Sequence, residues 1–520
     1  MHAALHVFSA FPQQNMSIRL NTPRCLLLVT FLLGVSLGGF PGAEAADPKF
    51  RVTLSDSVGT KPITGRLFVF ATASAQRSPM QGPNWFSPEP FAAVEVTGMK
   101  PGDTVELDAA AEAFPVEIAK WAAKTYRLQA VLDHDFYYPP PHQGPGNFYS
   151  EVVTWDSASS DTATLVLNQV VPDVEYKDTE RVKFVQKKSE LLSDYFQREV
   201  IDRAAVILPA SYETSPDRRY PVYFEITGFG GTLRGMGRDP NPRRAPSEVE
   251  FIQVMLTGEC KFGHHVYANS ETNGPRGDAL IKELIPYIDT QFRTIADTKA
   301  RFVGGHSSGG WSSLWLQVSY PETFGGVFST SPDPVDFRDF QGTDLYAFPI
   351  QSVYMDPKGN RRPLARQGEQ VMLWYDDFCK MDQVLGRGGQ MRSFDAVFSP
   401  RDERGEPKRA WDPKSGLVDN EVISYWKKYD ICMKIADNWE QLKPLLAGKI
   451  HLAMGDLDTF YLEGATLKMA ERLKELGSDA KIEMVPGAGH GLPQAVMRKM
   501  REAMKDKFLE NFEPDGTPKK

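Results

Sequence analysis

Gly305-His306-Ser307-Ser308-Gly309 lies between a short apolar-leaning run, Arg301-Phe302-Val303-Gly304, and a helix-compatible run from Trp311 to Val318. A G-x-S-x-G pentapeptide between a strand and a helix is the setting in which a serine hydroxyl stands at the tip of a tight, strained turn. The glycines have a steric reason to be there. Strand and helix come so close that side chains flanking the serine would clash, and the serine itself is forced to positive φ. A plain glycine-serine loop has the same letters, so the surroundings must decide.

Those surroundings alternate. After residue 175, strand-like runs at Ala204 to Leu208, Pro221 to Ile226, Phe251 to Leu256, Gly326 to Ser329, Lys449 to Met454 and Lys481 to Val485 are interleaved with helical patterns. Over Asp278 to Phe292, Leu280, Ile281, Leu284, Ile285, Ile288 and Phe292 trace one helical face. Further helices are expected at about 464–476 and 493–508. Strands alternating with helices predict a largely parallel sheet. Residues 50–175 read differently. Gly65 to Ala71, Ala93 to Val96, Tyr126 to Val131 and Ala163 to Leu167 are short strands separated by turn residues, which predicts a small β-sandwich. Its aromatics Trp85, Phe86, Tyr137, Tyr138, Phe148 and Tyr149 fit core or loop packing, or stacking on a sugar ring.

The chain has 520 residues, 41% hydrophobic and 24% charged, with a net charge of −8. Two domains are expected at that length. The negative charge, with no basic run interleaved with aromatics, argues against nucleic-acid binding. Arg19 and Arg24 precede an apolar run from Cys25 to Phe40, and Ala43-Glu44-Ala45 supplies small residues before a cleavage point. Residues 1–45 therefore read as a signal peptide, with Met16 an alternative start, and no integral membrane span is expected. Export permits disulfides. Beyond Cys25 there are Cys260, Cys379 and Cys432, so at most one pair forms; Cys379 with Cys432 would staple one insertion, and three free buried thiols is the other reading. No clustered His and Cys suggests a metal site, and no cofactor is expected.

A serine hydroxyl is a poor nucleophile at neutral pH. It needs a base within reach, and the base needs an orienting carboxylate. Gly455-Asp456-Leu457-Asp458 leaves the strand ending at Met454, and Gly489-His490-Gly491 leaves the strand ending at Val485. Serine, aspartate and histidine thus follow in that order, each just past the C-terminal end of a strand, where an open α/β sheet places its site. His490 is the candidate base. His306 lies inside the turn, His451 lies within a strand, His264 and His265 precede the serine, and His134 and His142 lie in the β-rich region. Asp458 is the candidate acid because G-x-x-D lets the chain turn first; Asp456 is the alternative. An oxyanion needs two backbone N–H donors. Ser308 supplies one. The loop Gly228-Phe229-Gly230-Gly231 supplies the other, from Phe229 first and Gly230 next.

These residues resemble the esterase group of α/β-hydrolases that contains esterase D, enterochelin esterases, feruloyl esterases and mycolyltransferases. The resemblance covers roughly residues 190–335 and 445–510. It is carried by Tyr220-Pro221-Val222-Tyr223 with the glycine loop, Asn273-Gly274-Pro275, Glu283-Leu284-Ile285-Pro286-Tyr287-Ile288 before Phe292-Arg293-Thr294, Gly304 to Gly310, Tyr320-Pro321-Glu322-Thr323-Phe324, and Pro486-Gly487-Ala488-Gly489-His490. It implies an α/β-hydrolase with a mostly parallel sheet, with Ser307 as nucleophile, His490 as base and Asp458, then Asp456, as acid. Two departures stand out. Thr227-Gly228 replaces the His-Gly that opens the oxyanion loop in many members, and residues 336–445 match no motif. The expected domains are 46–175, the β-sandwich, and 176–515, the hydrolase with a cap-like insertion at about 336–445. Trp374, Trp411, Trp426 and Trp439 line a pocket in that insertion or form its core. Arg392, Arg401 and Arg404 bind an anionic group or sit in solvent.

The expected function is a secreted or periplasmic serine hydrolase that forms an acyl-enzyme on a small-molecule or polysaccharide ester, such as an acetyl or feruloyl ester. An acyltransferase or a peptidase with the same triad, and a non-catalytic carbohydrate-binding protein, are the alternatives.

Overall fold

The computed structural model describes residues 48–520, apart from Thr60, Phe136, Tyr137, Pro139, Gly235 and residues 237–247. The expected signal segment 1–45 and Tyr137 lie outside the described residues. Strand Ile63–Thr72 explains how the first part of the chain sits on the rest. Alternate side chains of a strand point to opposite faces. On one face Leu67 and Val69 join Phe50, Val52, Leu128 and Leu165 in a core of their own. On the other, Phe68 and Phe70 join Phe91 and Phe114 and continue into the core of the following unit. A strand buried on both faces reads as an unbroken apolar run. Nine strands between residues 49 and 170 link into one curled sheet, an all-β unit as its sequence pattern predicts. Polar bonds tie this unit to the insertion: buried Arg66 donates to Val384 O at 3.1 and 2.8 Å, and Arg387 pairs with Asp133 at 3.3 Å.

The second sheet has eight strands: β1 (Val182–Lys188), β2 (Ile201–Ile207), β3 (Val222–Ile226), β4 (Ile252–Leu256), β5 (Arg301–His306), β6 (Gly326–Thr330), β7 (Ile450–Gly455) and β8 (Lys481–Val485), in the order β1-β2-β4-β3-β5-β6-β7-β8. The first two pairings are antiparallel and the rest parallel. This is the α/β-hydrolase sheet. Strand β5 lies at its middle, buried from Phe302 to Gly305. The following helix α1 (Ser308–Ser319) is buried almost all round. Two of its hydroxyls are satisfied inward, Ser312 onto Ser308 O at 2.6 Å and Ser313 onto Gly310 O at 2.8 Å, as burial without solvent favours; at its end the Ser319 hydroxyl has no partner among the described residues.

The helix expected over 278–292 runs from Arg276 to Gln291, and its middle, Leu280–Leu284, opens into wider π turns. Pro286 follows at once. It has no N–H and its ring crowds the preceding turn, which the wider turn accommodates.

Residues 336–445 form a hairpin, Pro363–Gln367 with Gln370–Trp374, five α-helices and two short 3-10 turns. Trp411 and Trp426 pack with Phe337, Phe340 and Phe398 as core; Trp439 is buried too. Trp374 lies beneath the Arg361 guanidinium at 4.9 Å. Arg392 is buried against Asp395 at 2.9 Å, Arg404 pairs with Asp402 at 3.1 Å, and Arg401 donates to Thr272 O at 3.3 Å. Trp411 also borders a small cavity with Tyr354, Cys379, Met391 and Arg409, whereas these three arginines are engaged in the ion pairs and the hydrogen bond just given. Cys260, Cys379 and Cys432 are all free and buried. Among the described residues no helix is long and apolar enough to cross a membrane.

Candidate active site

Ser307 joins β5 to α1 with φ 60° and ψ −126°, a conformation that costs a non-glycine residue about 1–3 kcal/mol. Its surroundings hold it there. Ser307 N–H donates to Thr330 O at 3.0 Å, and Ser307 O accepts from Trp311 N at 3.0 Å and Asp333 N at 3.3 Å. A Cβ on Gly305 would lie 2.4 Å from Gly309 O, and one on Gly309 would lie 2.1 Å from Ile226 O. Both obstacles are backbone, which cannot swing aside, so each position must be glycine.

Ile226 ends β3, so the same crowding brings the next loop onto the serine. A Cβ at Gly228 would sit 3.0 Å from His306 O and 3.2 Å from the Ser307 Cβ. Gly231 N donates to Gly228 O at 3.0 Å, closing a turn in which Gly230 has φ 74°. Among the described residues neither Phe229 N–H nor Gly230 N–H has a partner. Ser308 begins α1, so its N–H has no acceptor within the helix. His264 holds this loop from behind. Its Nε2 donates to Thr227 O at 3.0 Å and its Nδ1 accepts from Val266 N at 3.1 Å. Burial pushes His264 down to about 4, which keeps it neutral in that role.

His490 follows β8. Its Nδ1 lies 2.8 Å from Asp458 Oδ2, and Asp458 is fully buried, with Oδ1 accepting from Phe460 N at 2.8 Å. A buried carboxylate there places the proton on Nδ1 and leaves the Nε2 lone pair facing outward. Ser331 Oγ donates to His490 O at 2.9 Å, and His490 N–H donates to Thr459 Oγ1 at 3.3 Å. The end of β6 thus fixes both halves of the site, Thr330 the serine and Ser331 the histidine. The His490 ring packs 4.6 Å from that of His306 and, edge-on, 5.0 Å from that of Phe460. Burial pushes His306 down to about 3, so no second cation stands beside His490. Among the described residues no hydrogen bond joins Ser307 Oγ to His490; such contacts are often long in an unliganded site.

Asp456 is turned elsewhere. It is exposed and its Oδ1 accepts from Gly487 N at 2.7 Å, a turn contact. The acid and base loops press together without spare room: a Cβ on Gly455 would meet Ala488 O at 2.2 Å. His134, His142, His265 and His451 take no part in these contacts. Three residues at the site have no sequence signal. Arg366, on the insertion hairpin, donates to Asp458 O at 3.0 Å and pairs with Glu463. Asp333 accepts from Ser308 Oγ at 2.6 Å, and burial pushes its carboxyl up to about 6. His264 is the third. Among the described residues no group of three or more His, Cys, Asp or Glu side chains is arranged to hold a metal ion.

The model of the family described as "Putative esterase" matches residues 202–496. The chain belongs to this esterase family. The esterase match takes in Ser307, Asp458, His490, the glycine loop and the insertion, and leaves the first sheet outside. Esterase Rv1288 of Mycobacterium tuberculosis is 30% identical over 156 residues, 30% of this chain and 34% of that protein; the chain spans about a third of the length of the curated relatives it matches. Among solved structures, a ferulic acid esterase is 17% identical with a TM-score of 0.39, over 63% of this chain and 98% of its own. An S-formylglutathione hydrolase from Agrobacterium tumefaciens is 15% identical with a TM-score of 0.38, over 63% and 94%.

Proposed function

We propose that this protein is an exported carboxylic-ester hydrolase that works through an acyl-enzyme on Ser307. One observation carries the reading: a serine at φ 60° is flanked on one side by N–H groups that have no partner among the described residues and on the other by a histidine bonded to a buried carboxylate. His490 Nε2 takes the Ser307 proton as Oγ bonds to the ester carbonyl carbon. Asp458 stabilises the imidazolium that results. The N–H groups of Ser308 and Phe229, with Gly230 beside them, donate to the oxyanion. As the tetrahedral species collapses, the C–O bond to the alcohol breaks and His490 returns the proton to that oxygen. Water, deprotonated by His490, then releases the acid and frees Ser307.

His264 and Arg366 act on this site as positioning residues, one on the oxyanion loop and one on the acid loop. Acetyl or feruloyl esters on a polysaccharide are the proposed substrates, supported by the leader-like residues 1–45 and by the β unit joined to the hydrolase. The test is hydrolysis of p-nitrophenyl acetate. Ser307→Ala is expected to lower kcat by about 10³-fold or more with its thermal midpoint unchanged; equal rates for variant and parent refute the reading.

A further inference from the structure

The loop of the first sheet that carries Trp85 and Phe86 reaches the catalytic face. Trp85 lies 5.8 Å from Phe229 on the oxyanion loop, 5.0 Å edge-on from Phe378 of the insertion, and 6.2 Å edge-on from Phe460 on the acid loop, measured between ring centroids. Phe86 lies 6.3 Å from Phe460, and Phe460 in turn packs against His490. Asn84 Oδ1 sets the loop's shape, accepting from Phe86 N at 2.9 Å and Ser87 N at 3.2 Å. Trp85 is half-buried and Phe86 is 41% exposed.

Position relative to the reaction says which part of a substrate meets these rings. His490 hands its proton to the leaving alcohol oxygen, so the alcohol portion lies on the His490 side, where Phe460 stands with Trp85 and Phe86 beyond it. We propose that Trp85 and Phe86 form, with Phe460, the subsite for a ring-bearing alcohol portion of the ester, so that the first sheet supplies specificity-determining residues to the hydrolase. This rests on the hydrolase reading above. A benzylic or phenolic alcohol and a pyranoside share the needed chemistry, a ring with apolar surface, the π face or edge of an aryl group or the axial C–H groups of a sugar chair, to lay against an aromatic side chain.

The experiment measures kcat and KM for the parent, Trp85→Ala, Trp85→Phe and Phe86→Ala on benzyl acetate, an acetylated methyl xylopyranoside, ethyl acetate and methyl benzoate. Trp85→Ala is expected to lower kcat/KM about tenfold, mainly through KM, on benzyl acetate or the xyloside. It stays within about twofold on ethyl acetate and methyl benzoate, where no ring lies on the alcohol side. Trp85→Phe keeps most of the parent's rate. Phe86→Ala, at an exposed position that does not threaten folding, follows the same pattern with a loss of about threefold. Loss on benzyl acetate alone assigns an aryl alcohol; loss on the xyloside alone assigns a sugar. Equal loss on all four esters, loss confined to methyl benzoate, or no loss on either ring-bearing alcohol overturns the proposal and leaves the hydrolase reading standing. A parent that hydrolyses p-nitrophenyl acetate but neither ring-bearing acetate overturns this proposal alone; a parent that hydrolyses no ester at all, p-nitrophenyl acetate included, sinks both.

Discussion

Around Ser307 the geometry comes from residues adjacent in the chain: Gly305 and Gly309 clear the backbone on either side, and the serine sits strained between them. Around Trp85 the geometry comes from residues 85, 229, 378 and 460, which share no spacing and meet only in the folded molecule. A constraint that acts between near neighbours leaves a mark in the sequence, because only one residue type satisfies it. A constraint that acts between distant segments leaves none, because each ring alone is an ordinary aromatic residue.

The acid loop is where that contrast is sharpest, since two aspartates follow the same strand. Asp458→Asn is expected to lower kcat on p-nitrophenyl acetate by about 10⁴-fold, by presenting the wrong partner to His490 Nδ1. Asp456→Asn is expected to stay within about twofold, because that side chain makes only an exposed turn contact. Similar losses for the two would mean that burial and the 2.8 Å contact to His490 do not identify the acid.

The elbow itself is tested by Gly309→Ala. The added methyl meets Ile226 O, a backbone atom, so the cost is expected to reach about 3 kcal/mol in urea unfolding, with activity falling alongside. Unchanged stability would show that the strand and helix have room the glycine does not reveal.

A smaller effect probes the support beneath the elbow. Asp333, held up to about 6 by burial, binds its proton more tightly folded than unfolded. Stability from that proton is therefore present at about pH 4 and is lost as pH rises through about 6. Asp333→Asn is expected to match the parent near pH 4 and exceed it by about 2 kcal/mol or less at pH 8. A variant that loses stability with rising pH as steeply as the parent contradicts this assignment.

The same division explains what the sequence made legible. The parallel strands, the glycine-flanked turn at Ser307 and the position of His490 beyond the last strand were readable because alternation and flanking glycines are local patterns. Asp458 and Asp456 could be ordered by turn spacing alone, and it is burial that separates them. His264 looked out of order because a base is expected after the serine; it acts instead through Thr227 O, a backbone contact with no motif. Arg366 and Asp333 act across loops in the same way. The tryptophans at 411 and 426 lie in a region without clean periodicity, where core and pocket wall look alike, and only packing identifies them as core, Trp426 against Phe337 and Phe398 and Trp411 against Trp426 and Phe340. The Cys379–Cys432 pairing weighed from cysteine count is absent, because each thiol is buried separately.

The central claim is that Ser307 is the one activated alcohol of this chain. Incubating the folded protein with a fluorophosphonate at neutral pH and mapping the adduct by peptide mass spectrometry tests it most directly. The account predicts a single adduct on Ser307, absent from Ser307→Ala. A folded, unlabelled protein, or an adduct on another residue that persists in Ser307→Ala, would contradict it.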